Sequence, residues 1–311
     1  MAGASLLALL DDITALLDDV ALMTKTAASK TAGVLGDDLA VNAEQVTGVN
    51  ANRELPVVWA VAKGSLINKC IIVPIAMLLS FFMPSLILPI LMFGGLYLCF
   101  EGAEKVFGHH EVNKHLQVSV EMSAEQLILF EKDKIKGAIR TDFVLSIEII
   151  VITLGTVASA NLFTQFGVLA LIAFVATVGV YGIVALIVKL DDMGLYLLTH
   201  SKSGIVGNLN HKLGHALVNS APYLMKLLTV VGTIAMFLVG GGILSHSLHM
   251  ISETIEKTTS YISNLTTITW LVDMLHTIVS LLLNGLLGML AGGLLMLLIF
   301  LIQKPKTKNS D

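Results

Sequence analysis

The sequence predicts an all-α polytopic membrane protein, and three observations carry that expectation. Of its 311 residues, 55% are hydrophobic and only 14% are charged, against about 45–50% and about 25% in soluble domains. The mean hydropathy is +0.83. Long apolar runs recur along the chain, most of them near the ~20 residues that a helix needs to cross a bilayer.

The formal net charge of −4 is too mild to suggest a nucleic-acid partner. Cys70 and Cys99 both lie in apolar runs, where thiols serve as packing groups more often than as a disulfide or metal pair. The N-terminal leucines lack a basic leader, and Asp11, Asp12, Asp18 and Asp19 interrupt them, so a signal peptide is not expected.

Residues 5–28 read as an amphipathic helix. At 100° per residue the four aspartates fall within an arc of about 120°, opposite Leu7, Leu10, Ile13, Leu17 and Val20. With no base before Lys25, this helix suits an anionic lipid surface poorly. Its apolar side is expected to dock on the protein's own helices or on a second subunit. Residues 29–55 carry Gly33, Gly36, Gly48, Asn42 and Asn50 and read as loop and short helix. Together 1–65 form an expected cytoplasmic or interfacial N-terminal region.

Residues 66–302 form the expected transmembrane domain of about six spans: 66–83, 85–102, 143–160, 166–188, 222–244 and 277–302. The first two make a short hairpin turning at Pro84-Ser85, or a re-entrant segment. Prolines and glycines break it, and such breaks are tolerated in a membrane where backbone is buried or lines a cavity. The stretch 103–141 is an expected cytoplasmic loop, with a surface helix over about 124–140 capped by Ser123 and Gln126. Polar loops are expected at 199–221 and 245–276, and 303–311 is a basic cytoplasmic tail. An N-inside thread places every one of the 19 Lys and Arg residues except Lys257 on the cytoplasmic side or at that end of a span. Both termini are therefore expected inside.

The candidate functional residues follow from this threading. Glu148 lies about two turns into the third span, where a carboxylate must pair, protonate or face water. Proton or cation coupling is one reading, and a salt bridge to Lys69 or Lys226 is the other. Asp191 and Asp192 extend the fourth span and are either a cation-attracting inner mouth or hydrated interfacial acids. Asn68 and Asn284 are polar groups that either line a path or bridge helices. The acidic pairs Asp11-Asp12, Asp18-Asp19 and Asp37-Asp38 would form a cation vestibule with Asp191-Asp192 if all converged at one end. The plainer reading of the first two pairs is a solvated helix face. His211 and His215 sit at i and i+4, a spacing that suits a metal pair, although loop histidines are more often simply exposed. The Gly285, Gly288, Gly292 and Gly293 face of the sixth span suits helix packing or a homo-oligomer contact. No cofactor is indicated, and no catalytic constellation is visible.

Several segments carry a family resemblance: 1–7 (Met-Ala-Gly-Ala-Ser-Leu-Leu), 30–39 (Lys-Thr-Ala-Gly-Val-Leu-Gly-Asp-Asp-Leu), 51–59 (Ala-Asn-Arg-Glu-Leu-Pro-Val-Val-Trp), 100–105 and 221–226. In these the chain resembles the YedI-like bacterial inner-membrane proteins, domain of unknown function family 808. The resemblance implies a bacterial inner-membrane location and transfers no activity or site. From the residues, the expected function is a small-solute or ion transporter or channel, with the bilayer and an inorganic ion as partners. The alternative is a membrane scaffold or regulatory protein that binds a partner through the acidic helix and the 103–141 loop.

Overall fold

The computed structural model describes residues 2–46, 53–107, 124–199, 205–263 and 269–303. These fold into α-helices with no strand among them: α1 (Ala2–Val46), α2 (Glu54–Phe82), a single 3-10 turn (Pro84–Leu86), α3 (Ile87–Phe107), α4 (Ala124–Thr156), α5 (Leu162–Val188), α6 (Leu190–Thr199), α7 (Ile205–Ser247), α8 (His249–Ser263) and α9 (Thr269–Gln303). Five stretches are long and apolar enough to cross a membrane: Glu54–Phe82, Pro84–Phe107, Leu162–Val188, Asn210–Ser247 and Met274–Ile302. The chain is an all-α polytopic membrane protein. Helix α4 is not among the five. Its apolar half is interrupted by Arg140, Asp142 and Glu148, yet it packs along α2 and α1 inside the bundle.

The turns are where the local chemistry places them. Pro84 opens the 3-10 turn between α2 and α3, where a residue without a free N–H is tolerated. Asn161 caps α5 by accepting a hydrogen bond from the Thr164 N–H at 2.9 Å, which supplies one of the unsatisfied donors of the first turn.

The largest departure from expectation is α1. Residues 29–46, expected as loop, continue the N-terminal helix without a break. Gly33 and Gly36 do not end it, since a glycine inside a helix costs only about 1 kcal/mol relative to alanine. Polar side chains return to the helix's own carbonyls: Thr31 Oγ1 donates to Ala27 O at 3.0 Å and Asn42 Nδ2 to Asp38 O at 2.9 Å. Burial of Ala27, Val41, Ala43 and Val46 then outweighs weak helix propensity, as tertiary packing commonly does. Two further expected loops are also helical where described. Helix α7 starts at Ile205, with Gly214 seated against the Gly194 carbonyl of α6, and α8 occupies 249–263. The 124–140 surface helix does not stop but runs on to Thr156 as one helix. Ser123, residues 200–204 and the basic tail 304–311 lie outside the described residues.

Helix α1 accompanies α5 in the same direction. Val20 packs at Gly167, near the start of α5. Ala27 joins Val168 and Ile172. At the other end Ala43 and Val46 join Val180, Val184 and Val188, together with Val57, Val58 and Val61 of α2 and Ala138 of α4. Helices α2 and α4 run the opposite way: Ile72, Val73 and Ala76 of α2 meet Ile150 and Leu154 of α4 and Leu169 and Ala173 of α5. The four helices thus enclose three apolar clusters, two near the Val168 end of α5 and one near its Val188 end.

Helices α3, α7 and α9 form the other half. Gly95 and Gly240 bring α3 and α7 together, Gly241 and Gly288 bring α7 onto α9, and Gly292 sits on the Cys99 carbonyl of α3. Close backbone approach through small residues is how helices associate where lipid removes any hydrophobic drive between them. The glycine face of the sixth expected span therefore packs within the chain.

Candidate functional site

Between the two ends, polar side chains from α1, α2, α4 and α5 meet. Ser65 and Lys69 stand one turn apart on α2, and Asp142 and Ser146 one turn apart on α4, so each pair shares a helix face. Lys69 Nζ donates to Ser65 Oγ and Ser146 Oγ, both at 2.8 Å, and lies 3.5 Å from Asp142 Oδ1. Lys69 and Asp142 are each 4% exposed. Ser146 Oγ donates to Asp142 Oδ2 at 3.2 Å. From α5 the Tyr181 hydroxyl approaches Asp142 Oδ1 at 2.9 Å and Asn42 Oδ1 of α1 at 2.8 Å.

Three more carboxyl groups complete this layer. Asp38 is buried one turn before Asn42, and the charges that act on it are Glu148, Asp142 and Asp37 of like sign and Lys69 of opposite sign. Asp38 Oδ1 and Glu148 Oε2 are buried without a hydrogen-bond partner. Such groups are rare in folded proteins, since each costs the desolvation of a polar atom without a return. Among the described residues, no three or more His, Cys, Asp or Glu side chains are placed to hold a metal ion.

A second polar layer lies at the Val46 end of α1. Lys105 pairs with Glu44, and Glu101 accepts from Gln45 Nε2 and from Thr141 Oγ1, the latter at 2.7 Å. Arg53 clamps the buried Glu131 through Nε (3.2 and 3.1 Å) and Nη2 (2.7 Å). Burial pushes the Lys134 ammonium below its ordinary range, with Glu44 pulling the other way.

The sequence candidates divide between these layers and the surface. Lys69, Asp37, Asp38 and Glu148 share the central layer. Glu148 does not pair with Lys226, which is exposed, and Lys69 turns to Asp142 instead. Asn68 bridges helices, its Nδ2 donating to Ile139 O at 2.9 Å. Asn284 lies apart, against Gly241 and Gly242 of α7, with its Oδ1 unpartnered. Asp192 pairs with Lys189, which holds that ammonium above its ordinary range, and Asp191 Oδ1 accepts from the Asp192 N–H at 2.8 Å. His211 and His215 are exposed on α7 with ring centroids 4.6 Å apart.

The acidic pairs do not converge. Asp18 and Asp19 adjoin Val20 at the start of α5, Asp191 and Asp192 follow its far end, and Asp37-Asp38 sits between. Asp11, Asp12, Asp18 and Asp19 are all exposed. The apolar side of that segment is uncovered too, with Leu10 52% and Leu17 61% exposed.

Sequence reasoning missed Asn42, Ser65, Asp142, Ser146 and Tyr181. The i, i+4 spacing of Ser65–Lys69 and Asp142–Ser146 was an available signal. Asn42 and Tyr181 gave none, one lying in a presumed loop and the other in an uncharged run.

Comparison with curated proteins and with solved structures finds no match. A family model described as "Protein of unknown function (DUF808)" matches residues 4–298. That match covers every helix of the central layer, and the chain belongs to this family.

Proposed function

We propose that the protein is a proton-coupled transporter whose coupling site is the central layer. One observation carries this reading: the layer holds one ammonium, Lys69, against four carboxyl groups, Asp142, Asp38, Glu148 and Asp37, and two carboxyl oxygens, on Asp38 and Glu148, are buried and unpartnered. Charge balance there calls for protons or a further cation. The hydrogen-bond count agrees. The Tyr181 phenol has one proton for two acceptor oxygens, and Asn42 Nδ2 already faces the Asp38 carbonyl. One of the two contacts is therefore short of a proton. Ionisable groups inside a membrane bundle mark ion paths and proton relays far more often than they mark simple packing.

The experiment is proton flux in proteoliposomes, read by a trapped pH-sensitive dye under an imposed potential, with wild type, Glu148→Gln and Asp38→Asn. Flux in wild type that falls at least tenfold in either variant is the expected result. No flux under any gradient overturns the reading. The scaffold alternative draws on the uncovered apolar side of α1 at Leu10, Ile13 and Leu17, but it leaves the unpartnered Glu148 unexplained.

The same packing bears on orientation. Helix α1 follows α5 along its length and so acts as one more crossing beside the expected six. An odd number of crossings places the two termini on opposite sides. The C-terminus stays cytoplasmic, since Arg53, Lys105, Lys132, Lys134, Lys136, Arg140 and Lys189 gather at the Val46 end. The N-terminal acidic segment then belongs on the outer side.

A further inference from the structure

Helices α2 and α5 leave a groove between them on the surface of the bundle. Its larger part has a volume of about 560 Å³ and an almost wholly apolar lining. A second part of about 350 Å³ shares Leu66 and Phe174 with it, so the two form one furrow along α2. Both walls are helices long and apolar enough to cross a membrane. Tyr181 and Lys69 lie in the floor, so the furrow is backed by the central polar layer. On the α2 wall, one and two turns in from Leu55, stand Trp59, 74% exposed, and Lys63, also exposed. Lys63 makes no hydrogen bond or ion pair among the described residues.

We propose that this groove binds an anionic phospholipid of the surrounding bilayer, an acyl chain along the furrow and the phosphate at Lys63. The chemistry is complementary at both ends. An apolar furrow inside the hydrocarbon layer takes a chain, and its volume lies in the range of ligand sites. A lysine on the furrow's wall has an apolar stem long enough to carry its ammonium toward headgroups at the Leu55 end. A tryptophan beside it suits the same interface. Lys63 is the one cation in the lining of the larger part with its ammonium uncommitted, which selects a negative headgroup over a zwitterionic one. This site goes beyond the transport reading and holds whether or not protons move.

The test uses Trp59 as reporter. The chain has two tryptophans, so Trp270→Phe leaves Trp59 alone. The protein is reconstituted in phosphatidylcholine vesicles carrying graded fractions of dibrominated phosphatidylglycerol or dibrominated phosphatidylcholine, and quenching is read. Half-quenching is expected at about fivefold less brominated phosphatidylglycerol than phosphatidylcholine, the ratio that one lysine near an anionic lipid supplies. Lys63→Gln should bring the ratio to about one. Gly182→Leu, at a lining position where an added Cβ meets nothing within 4 Å, should fill the groove and reduce quenching by both lipids. Gly179→Leu, equally open but outside the lining, should leave quenching as in wild type. Equal quenching by the two lipids in wild type means ordinary boundary lipid and overturns the proposal. So does quenching untouched by Gly182→Leu. An absence of quenching by either lipid means that a second copy or another protein covers the groove, and overturns it too. If Gly182→Leu fails to fold, the Lys63→Gln ratio still decides.

Discussion

Lys69 and Asp142 meet at 3.5 Å in the middle of the bundle, and two serines, Ser65 and Ser146, take the ammonium's shorter hydrogen bonds at 2.8 Å each. The lysine is held by a cage on two helices, and the ion pair is its longest contact. Removing one member of a buried pair costs roughly 3–5 kcal/mol because the other is left without its counter-charge. Lys69→Met is therefore expected to lower the unfolding midpoint in detergent by that order. The double variant Lys69→Met/Asp142→Leu should recover most of the loss. A double variant no more stable than the single one would mean that the serine cage, and not the pair, dominates.

Tyr181 ties α5 to α1 and α4 through a single oxygen. Tyr181→Phe keeps the ring in place and removes the one proton that Asn42 Oδ1 and Asp142 Oδ1 share. A buried polar group stripped of its partner costs about 1–3 kcal/mol, and a loss in that range is expected from denaturant unfolding in micelles. A change below about 0.5 kcal/mol would show that neither contact is held in the folded protein.

The glycine seam makes a contrast within one helix. A Cβ at Gly288 would collide with the Phe237 carbonyl of α7, whereas one at Gly293 would meet nothing within 4 Å. Gly288→Leu is expected to cost about 3 kcal/mol or more, since the obstacle is backbone. Gly293→Ala should be neutral or stabilising by up to about 1 kcal/mol, the difference in helix propensity. The two unfolding midpoints, measured side by side, check this.

The membrane helices were legible because each carries a long, mostly apolar run, and lipid permits little else. The central layer was half legible. Glu148 and Lys69 stood out as charges inside apolar runs. Asp142 did not, because it sits one residue before the run that starts at Phe143 and reads as the end of a loop. Asp38 and Asn42 were hidden for a different reason. Their helix is polar by composition, and only the packing of Val41, Ala43 and Val46 against the surrounding helices makes it a core element. A polar helix sheltered by apolar ones has no signature in hydropathy.

That sheltered helix gives the sharpest prediction. Val20 and Val46 of α1 sit at opposite ends of α5, so Asp12 and Asp192 are expected on opposite faces of the membrane. In a background with Cys70→Ala and Cys99→Ala, single cysteines replacing Asp12 and Asp192 are treated with a membrane-impermeant thiol reagent. The reagent is applied to intact spheroplasts before and after permeabilisation. Asp12→Cys should react in intact spheroplasts, and Asp192→Cys only after permeabilisation, because the basic residues gather at the Asp192 end. The reverse order would keep α1 as a crossing and invert the bundle. Reaction of both from the same side would remove α1 from the membrane. It would then be a helix lying outside the bilayer.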